Sequence, residues 1–299
     1  MVCAILAYLI GLPFGIAAVP FADRAISPDP LDKPIVGNGG FACDASGWGE
    51  FSGYVSTSDS DHAWNAKMGA CEELYRFRNL WSVTVASDIE LIANPHNDID
   101  FSPRVFYWQE SLFYMRHTDW FDWGLGYYHR CRHDIDNLGT FVYDDVELER
   151  SCIYDSVTLR LLSRPFVWAW DSGGANRASL RLTLDEHYYV IRQDISLLSN
   201  TGPGPTLTEL ADSLVVGLLV EPFRRGNFSW YLTGRECTDL YLPAGAPVVA
   251  ADVLAETGLR WRGAAAGFSL FVRYEHFAET LEEPWRQPGD YVSIGLRVE

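Results

Sequence analysis

From about residue 72 onward the chain is built of segments of roughly 10 to 16 residues in which apolar and polar side chains alternate, separated by turn signals. In "ASLRLTLDEHYYVI", Leu180, Leu182, Leu184, Tyr188 and Val190 fall on one face, and Ser179, Arg181, Thr183, Asp185 and His187 on the other. "FSLFVRYEHF" sets Phe268, Leu270, Val272 and Tyr274 against Ser269, Arg273 and Glu275 in the same way. The pattern predicts ten strands, at about 74–94, 101–117, 120–132, 153–168, 177–193, 210–223, 228–241, 249–262, 264–278 and 289–299.

These strands are about twice as long as those of a soluble sandwich, which average ~5 to 6 residues. Long strands with one apolar face, one face rich in Arg, Glu and Asp, and aromatics near their ends are the mark of a transmembrane barrel. The expected fold is therefore all-β, an antiparallel transmembrane β-barrel of about ten strands, with a soluble β-sandwich as the alternative. Connection lengths agree. With the C-terminus in the periplasm, "RGAA", "RRGN", "DSGGAN" and "HTDW" become short periplasmic turns, and the longer loops 279–288, 242–248, 194–209 and 133–152 become extracellular, together with the short 95–100. The charged interior would include Arg160, Arg260 and Arg273 with Glu90, Glu110, Asp185 and Glu256, paired across a narrow lumen that they plug.

Ahead of the alternating part, residues 1–22 read as a cleaved secretory signal peptide, apolar and ending in small residues. Residues 23–71, rich in Gly, Pro, Ser and Asp, read as an extended or loosely ordered segment, which leaves 72–299 for the barrel. A net charge of −17 excludes a nucleic-acid-binding surface and a polybasic membrane patch. The expected location is the bacterial outer membrane, with outer-membrane lipids or lipopolysaccharide and the barrel-assembly machinery as partners.

The densest chemistry lies in "GYYHRCRHDID", residues 126–136. Phase along the third predicted strand puts Phe121, Trp123, Leu125 and Tyr127 on the lipid-facing side, and continuing by twos places His129 and Cys131 on the outer wall near the outer leaflet. "HRC" there resembles the His-x-Ser pair of outer-membrane phospholipase A and the lipid A 3-O-deacylase, acyl hydrolases whose pair lies on the outer face of a strand. The resemblance covers three residues and has cysteine in place of serine. It implies His129 as base and Cys131 as nucleophile, with an orienting group about a dozen residues later, where Asp144, Asp145 and Glu147 stand and Asp145 is the candidate taken. The phospholipase follows its serine with Asn-Gly, where this chain has Arg132 and His133.

A disulfide between Cys131 and Cys152 competes with that reading, since the two are almost equidistant from the middle of the 133–152 loop and would face one another across a hairpin. His129 and His133, ~13 Å apart along a strand, do not converge on one metal. "HNDID" at 96–100 and "HDID" at 133–136 form an internal echo at the extracellular rim. His96, Asp98, Asp100, His133, Asp134 and Asp136 are candidate binding residues, and Asp98, Asp100, Asp134 and Asp136 are candidate hard oxygen ligands for Ca2+. Three functions follow. The first is a non-porin barrel whose His/Asp-rich rim binds a polar ligand, a divalent ion or a lipid headgroup. The second is a lipid acyl hydrolase with a His-Cys pair, and the third a soluble secreted β-sandwich binding protein.

Overall fold

The computed structural model describes residues 39–57, 63–78, 80–93, 103–134, 150–170, 176–196, 207–263, 266–277 and 289–299. The strands are β1 (Gly39–Thr57), β2 (Trp64–Phe77), β3 (Trp81–Ala93), β4 (Pro103–His117), β5 (Phe121–Asp134), β6 (Arg150–Ser163), β7 (Phe166–Ala169), β8 (Asn176–Ser196), β9 (Leu210–Arg225), β10 (Phe228–Tyr241), β11 (Val248–Arg262), β12 (Gly267–Phe277) and β13 (Gly289–Val298). Sequence neighbours pair antiparallel, β13 returns to β1, and β6 pairs β8, so the sheet closes on itself. β7 pairs only with β8, next to the stretch that β6 leaves uncovered. Pro165, which has no amide to donate, separates β6 from β7, and the two share one position in the wall. The barrel has twelve strands, and closure leaves no room for a sandwich of two sheets.

The ten expected strands are all present, and two more complete the wall. The segment 74–94 holds parts of two strands, β2 and β3, broken where Arg78 takes a positive φ of 51°. β1 and most of β2 lie inside the stretch expected to be loosely ordered, so the barrel begins at Gly39 rather than at residue 72. Glycine and serine concealed β1 because its outward row carries Gly47, Gly49 and Gly53, whose lack of side chains erases the apolar signal. Even so, β1 pairs with β2 over thirteen positions and with β13 over eight. Residues 1–38, including the expected signal peptide, lie outside the described residues.

The polarity of the wall is the reverse of a water-soluble fold. Outward rows carry Leu125, Leu159, Leu218, Leu259, Leu270, Ile294 and Leu296, each more than a third exposed. Inward rows carry Lys67, Glu90, Arg130, Arg160, Asp185, Glu256, Arg273 and Arg297, each nearly or wholly without accessible surface. A water-filled channel would leave its lining accessible, so the described lumen is filled by its own side chains.

That filling is ionic where β1, β11, β12 and β13 face inward. Arg297 reaches Glu50 at 2.6 Å and Glu256 at 2.8 Å, and Arg273 reaches the same two carboxylates at 2.6 Å each. The Tyr231 hydroxyl donates to Glu256 at 2.8 Å. Further along, Lys67 pairs with Glu90 at 3.1 Å, and Tyr128 donates to Gln109, which donates to Asp88. On β5, Gly124 and Gly126 clear space for Met115 and Phe113 of β4, and a Cβ on Gly126 would lie 2.6 Å from the Phe113 ring.

Connections alternate in length. At one end β2–β3, β4–β5 and β9–β10 are joined by two or three residues, and the last of these turns uses Gly226 at φ 57° in a two-residue hairpin. At the other end the chain needs residues 94–102, 135–149, 197–206 and 278–288 to connect its strands. Both β1 and β13 have their outer termini at the short-turn end.

Candidate functional site on the outer wall

The β4–β5 and β5–β6 ladders run without a bulge, so alternation is unbroken through residue 131. Arg130 points inward over the Tyr107 ring at 4.6 Å, and His129 and Cys131 therefore face outward with Leu125 and Tyr127. The register sets Glu110 of β4, His129 of β5 and Asp155 of β6 side by side, and beside them Trp108, Cys131 and Ile153. Glu110, expected in the lumen, is thus on the outer wall and exposed.

His129 Nδ1 lies 2.5 Å from Asp155 Oδ1, and the Tyr127 hydroxyl hydrogen-bonds the same carboxylate. A carboxylate only accepts, so Asp155 holds the imidazole with its proton on Nδ1 and leaves the Nε2 lone pair for a reaction. The imidazole is 27% exposed and the Asp155 side chain 7%, the arrangement of a reachable base on a covered support. Two residues along the same face, Cys131 is a free thiol, 9% exposed between its outward neighbours, that the Trp108 backbone hydrogen-bonds. A thiol, an imidazole and a carboxylate that orients the imidazole share one patch of the outer wall, beside Glu110.

Asp145, the orienting group taken from the sequence, lies outside the described residues, and Asp155 fills that position on β6. Its signal was available. Asp155 interrupts the outward row Ile153, Val157, Leu159, Leu161, where a carboxylate adds nothing to the packing of its apolar neighbours.

The expected disulfide is overturned. Cys131 stands opposite Ile153, and Cys152 stands opposite Arg132, so the two thiols are on opposite faces of the sheet. Cys152 packs inward with Phe113, Met115, Tyr128 and Tyr154. The estimate from the loop midpoint missed by one residue, and one residue of register exchanges the two faces.

The rim residues His96, Asp98, Asp100 and Asp136, and the side chains of His133 and Asp134, lie outside the described residues. Among the described residues no group of three or more His, Cys, Asp or Glu side chains gathers as a metal site.

A second constellation, which no motif announced, lies inside the short-turn end. Ser82 Oγ is 3.0 Å from His117 Nε2, His117 Nδ1 is 3.2 Å from Asp122 Oδ2, and Arg164 Nη2 is 2.8 Å from Asp122 Oδ1. The atoms are ordered as in a serine hydrolase triad, but Ser82 has no accessible surface. Its backbone is committed to ladders on both sides, opposite Arg76 and Met115. With neither access nor backbone donors to hold an oxyanion, this network joins β3, β4, β5 and the β6–β7 break as a structural tie.

No family model and no curated protein sequence matches the chain. Among solved structures it resembles LpxR from Salmonella typhimurium, at 9% identity over 85% of this chain and 99% of that one, with a TM-score of 0.44. It also resembles outer membrane phospholipase A from Escherichia coli, at 13% identity over 85% and 92% and a TM-score of 0.45. The calcium-bound dimer of the Salmonella typhi outer membrane phospholipase matches at 13% identity over 86% and 91%, with a TM-score of 0.44. The barrel architecture itself is established by the chain's own strand pairing.

Proposed function

We propose that this chain is an integral outer-membrane barrel, closed to bulk passage, that hydrolyses acyl esters of membrane lipids at its outer wall. The observation that carries this reading is the outward-facing His129–Asp155 pair beside Cys131, set with Glu110 among the apolar rows of the wall.

Membrane insertion is supported by the wall. Strands of 13 to 16 residues such as β3 and β9 rise about 33–40 Å at ~3.3 Å per residue and a tilt of about 40°, more than a hydrocarbon core of about 30 Å. Outward aromatics gather toward both ends. Phe77 and Trp81, Trp81 and Tyr114, and Tyr114 and Trp123 touch in sequence at the short-turn end, with ring centroids 5.8, 5.8 and 6.1 Å apart. Phe51 with Trp64 and Phe106 with Trp108 mark the other end, at 5.6 and 6.1 Å. Cys131 stands beside Trp108, which supports a site at headgroup depth where lipid esters lie.

In the proposed reaction His129 Nε2 takes the Cys131 proton and the thiolate attacks the ester carbonyl. The carbon–oxygen bond breaks, and His129 returns the proton to the departing alcohol. Water, deprotonated by the same nitrogen, then attacks the thioester and releases fatty acid and thiol. Asp155 keeps Nε2 aimed outward throughout.

Purified barrel in micelles of an ester-linked phospholipid tests this. Release of fatty acid with a hydroxylamine-sensitive acyl group on Cys131 is expected, and both are lost in Cys131→Ala. Activity that persists in Cys131→Ala defeats the reading.

A second reading, a barrel that binds headgroups or divalent ions without turnover, is favoured by Glu110, which is exposed on the outer wall. The rim residues His96, Asp98, Asp100, His133, Asp134 and Asp136 belong to it, with calcium as the candidate ion.

A further inference from the structure

The arrangement on β5 and β6 occurs twice. On β12 and β13, His276 Nδ1 is 2.9 Å from Asp290 Oδ1, and the Tyr274 hydroxyl donates to the same oxygen at 2.6 Å. The registers agree position by position. Tyr127 stands opposite Val157 and His129 opposite Asp155 on the first hairpin, and Tyr274 opposite Val292 and His276 opposite Asp290 on the second. Both hairpins are read as Tyr-x-His on one strand and Asp-x-Val on the next.

In the closed order of strands β5 and β12 are separated by six steps around a wall of twelve, so the two hairpins face opposite sides of the barrel. Both have their His–Asp pair toward the end with the long connections. Two residues beyond His129 the sequence has Cys131, and two beyond His276 it has Ala278. The second hairpin repeats the orientation of the histidine and lacks the thiol.

What the second hairpin offers a ligand follows from its chemistry. With its Nδ1 proton held by Asp290, His276 presents the lone pair of Nε2, an acceptor, and the Asp290 carboxylate is 61% exposed and also only accepts. The flanking wall adds Val253 opposite His276 and Val292 opposite Tyr274, neither of them a donor. A group that donates hydrogen bonds and carries positive charge suits these acceptors. Phosphate oxygens are disfavoured by the carboxylate. At headgroup depth a primary ammonium meets both demands, and the Tyr274 ring, 38% exposed on the same face, adds an aromatic surface.

We propose that Tyr274, His276 and Asp290 form a second lipid site, which holds the ammonium of an ethanolamine headgroup without turning the lipid over. It depends on the barrel lying in a membrane but not on hydrolysis at Cys131.

The test uses the full chain with Cys131→Ala, so that no lipid is consumed, refolded in detergent and titrated with dioctanoyl phosphatidylethanolamine or dioctanoyl phosphatidylglycerol. Bound lipid is counted by native mass spectrometry. The ethanolamine lipid is expected to bind at least tenfold more tightly than the glycerol lipid, and one bound lipid is expected to disappear in His276→Ala and in Asp290→Ala. Asp290→Glu, which keeps the carboxylate, should restore part of that loss and separates recognition from misfolding. Equal binding of the two lipids, or lipid counts that His276→Ala leaves unchanged, overturns the second site. Fatty acid release by the protein with Cys131 intact is read separately, so failure of the hydrolase and failure of the second site are distinguishable.

Discussion

Among the described residues three histidines are held through Nδ1 by a carboxylate, and two of them, His129 and His117, differ most in their access to the surface. His129 stands on the outer wall, its imidazole 27% exposed beside a free thiol. His117 is inside the short-turn end with Ser82 on its other nitrogen, and that serine has no accessible surface. By distances alone the buried network has the more complete triad. Access reverses the ranking on the proposed reading, in which the substrate arrives from the lipid side: Cys131 lies on the outward face with 9% of its surface accessible, and Ser82 lies inside with none. Hydrogen-bond geometry identifies an oriented histidine, and burial decides whether it is a tool or a tie.

The largest effect expected from breaking this comparison is on turnover. His129→Ala and Cys131→Ala should each lower fatty acid release by about 10² to 10⁴, the usual range for a lost general base or nucleophile, as measured in phospholipid micelles. Asp155→Asn should fall between these variants and the parent.

Next come stability effects confined to the lumen. Glu256 pairs with both Arg273 and Arg297, so Glu256→Ala should cost about 3–5 kcal/mol by leaving buried guanidinium charge unmatched, as read from urea unfolding in micelles. An unchanged midpoint would mean that water enters the lumen. Gly126→Val should cost about 1–3 kcal/mol through its collision with Phe113.

His117→Ala should cost a similar ~1–3 kcal/mol by leaving Ser82 and Asp122 without their partner, and fatty acid release should survive wherever the barrel stays folded. Ser82→Ala is expected to leave turnover within about twofold of the parent, since general-base and nucleophile losses are far larger. A Ser82→Ala protein that loses its activity while remaining folded would promote the buried network to the active site. The smallest effect concerns labelling. A membrane-soluble maleimide should modify Cys131 in the folded barrel and reach Cys152 only after denaturation, and no peptide joining the two cysteines should appear under non-reducing conditions.

Much of this was legible in the residues because alternation is a local property. The outward faces of His129 and Cys131 follow from counting by twos along β5, and the inward face of Arg160, Asp185 and Glu256 follows likewise. Even the repeated Tyr-x-His at 127–129 and 274–276 is visible in the letters, though nothing in the letters says that each is answered by an aspartate on the next strand.

What the chain by itself determined, then, is which residues face outward and which face one another across a filled interior, since a period of two needs only the neighbouring residues. Tertiary structure alone decided the register. It set Asp155 beside His129, put Cys131 and Cys152 on opposite faces, and drew the glycine-rich β1 into the wall by pairing it with β13. The physical reason is that strand pairing is settled by closure of the whole ladder, and a slip of one residue, invisible in a loop of uncertain length, turns every side chain to the other face.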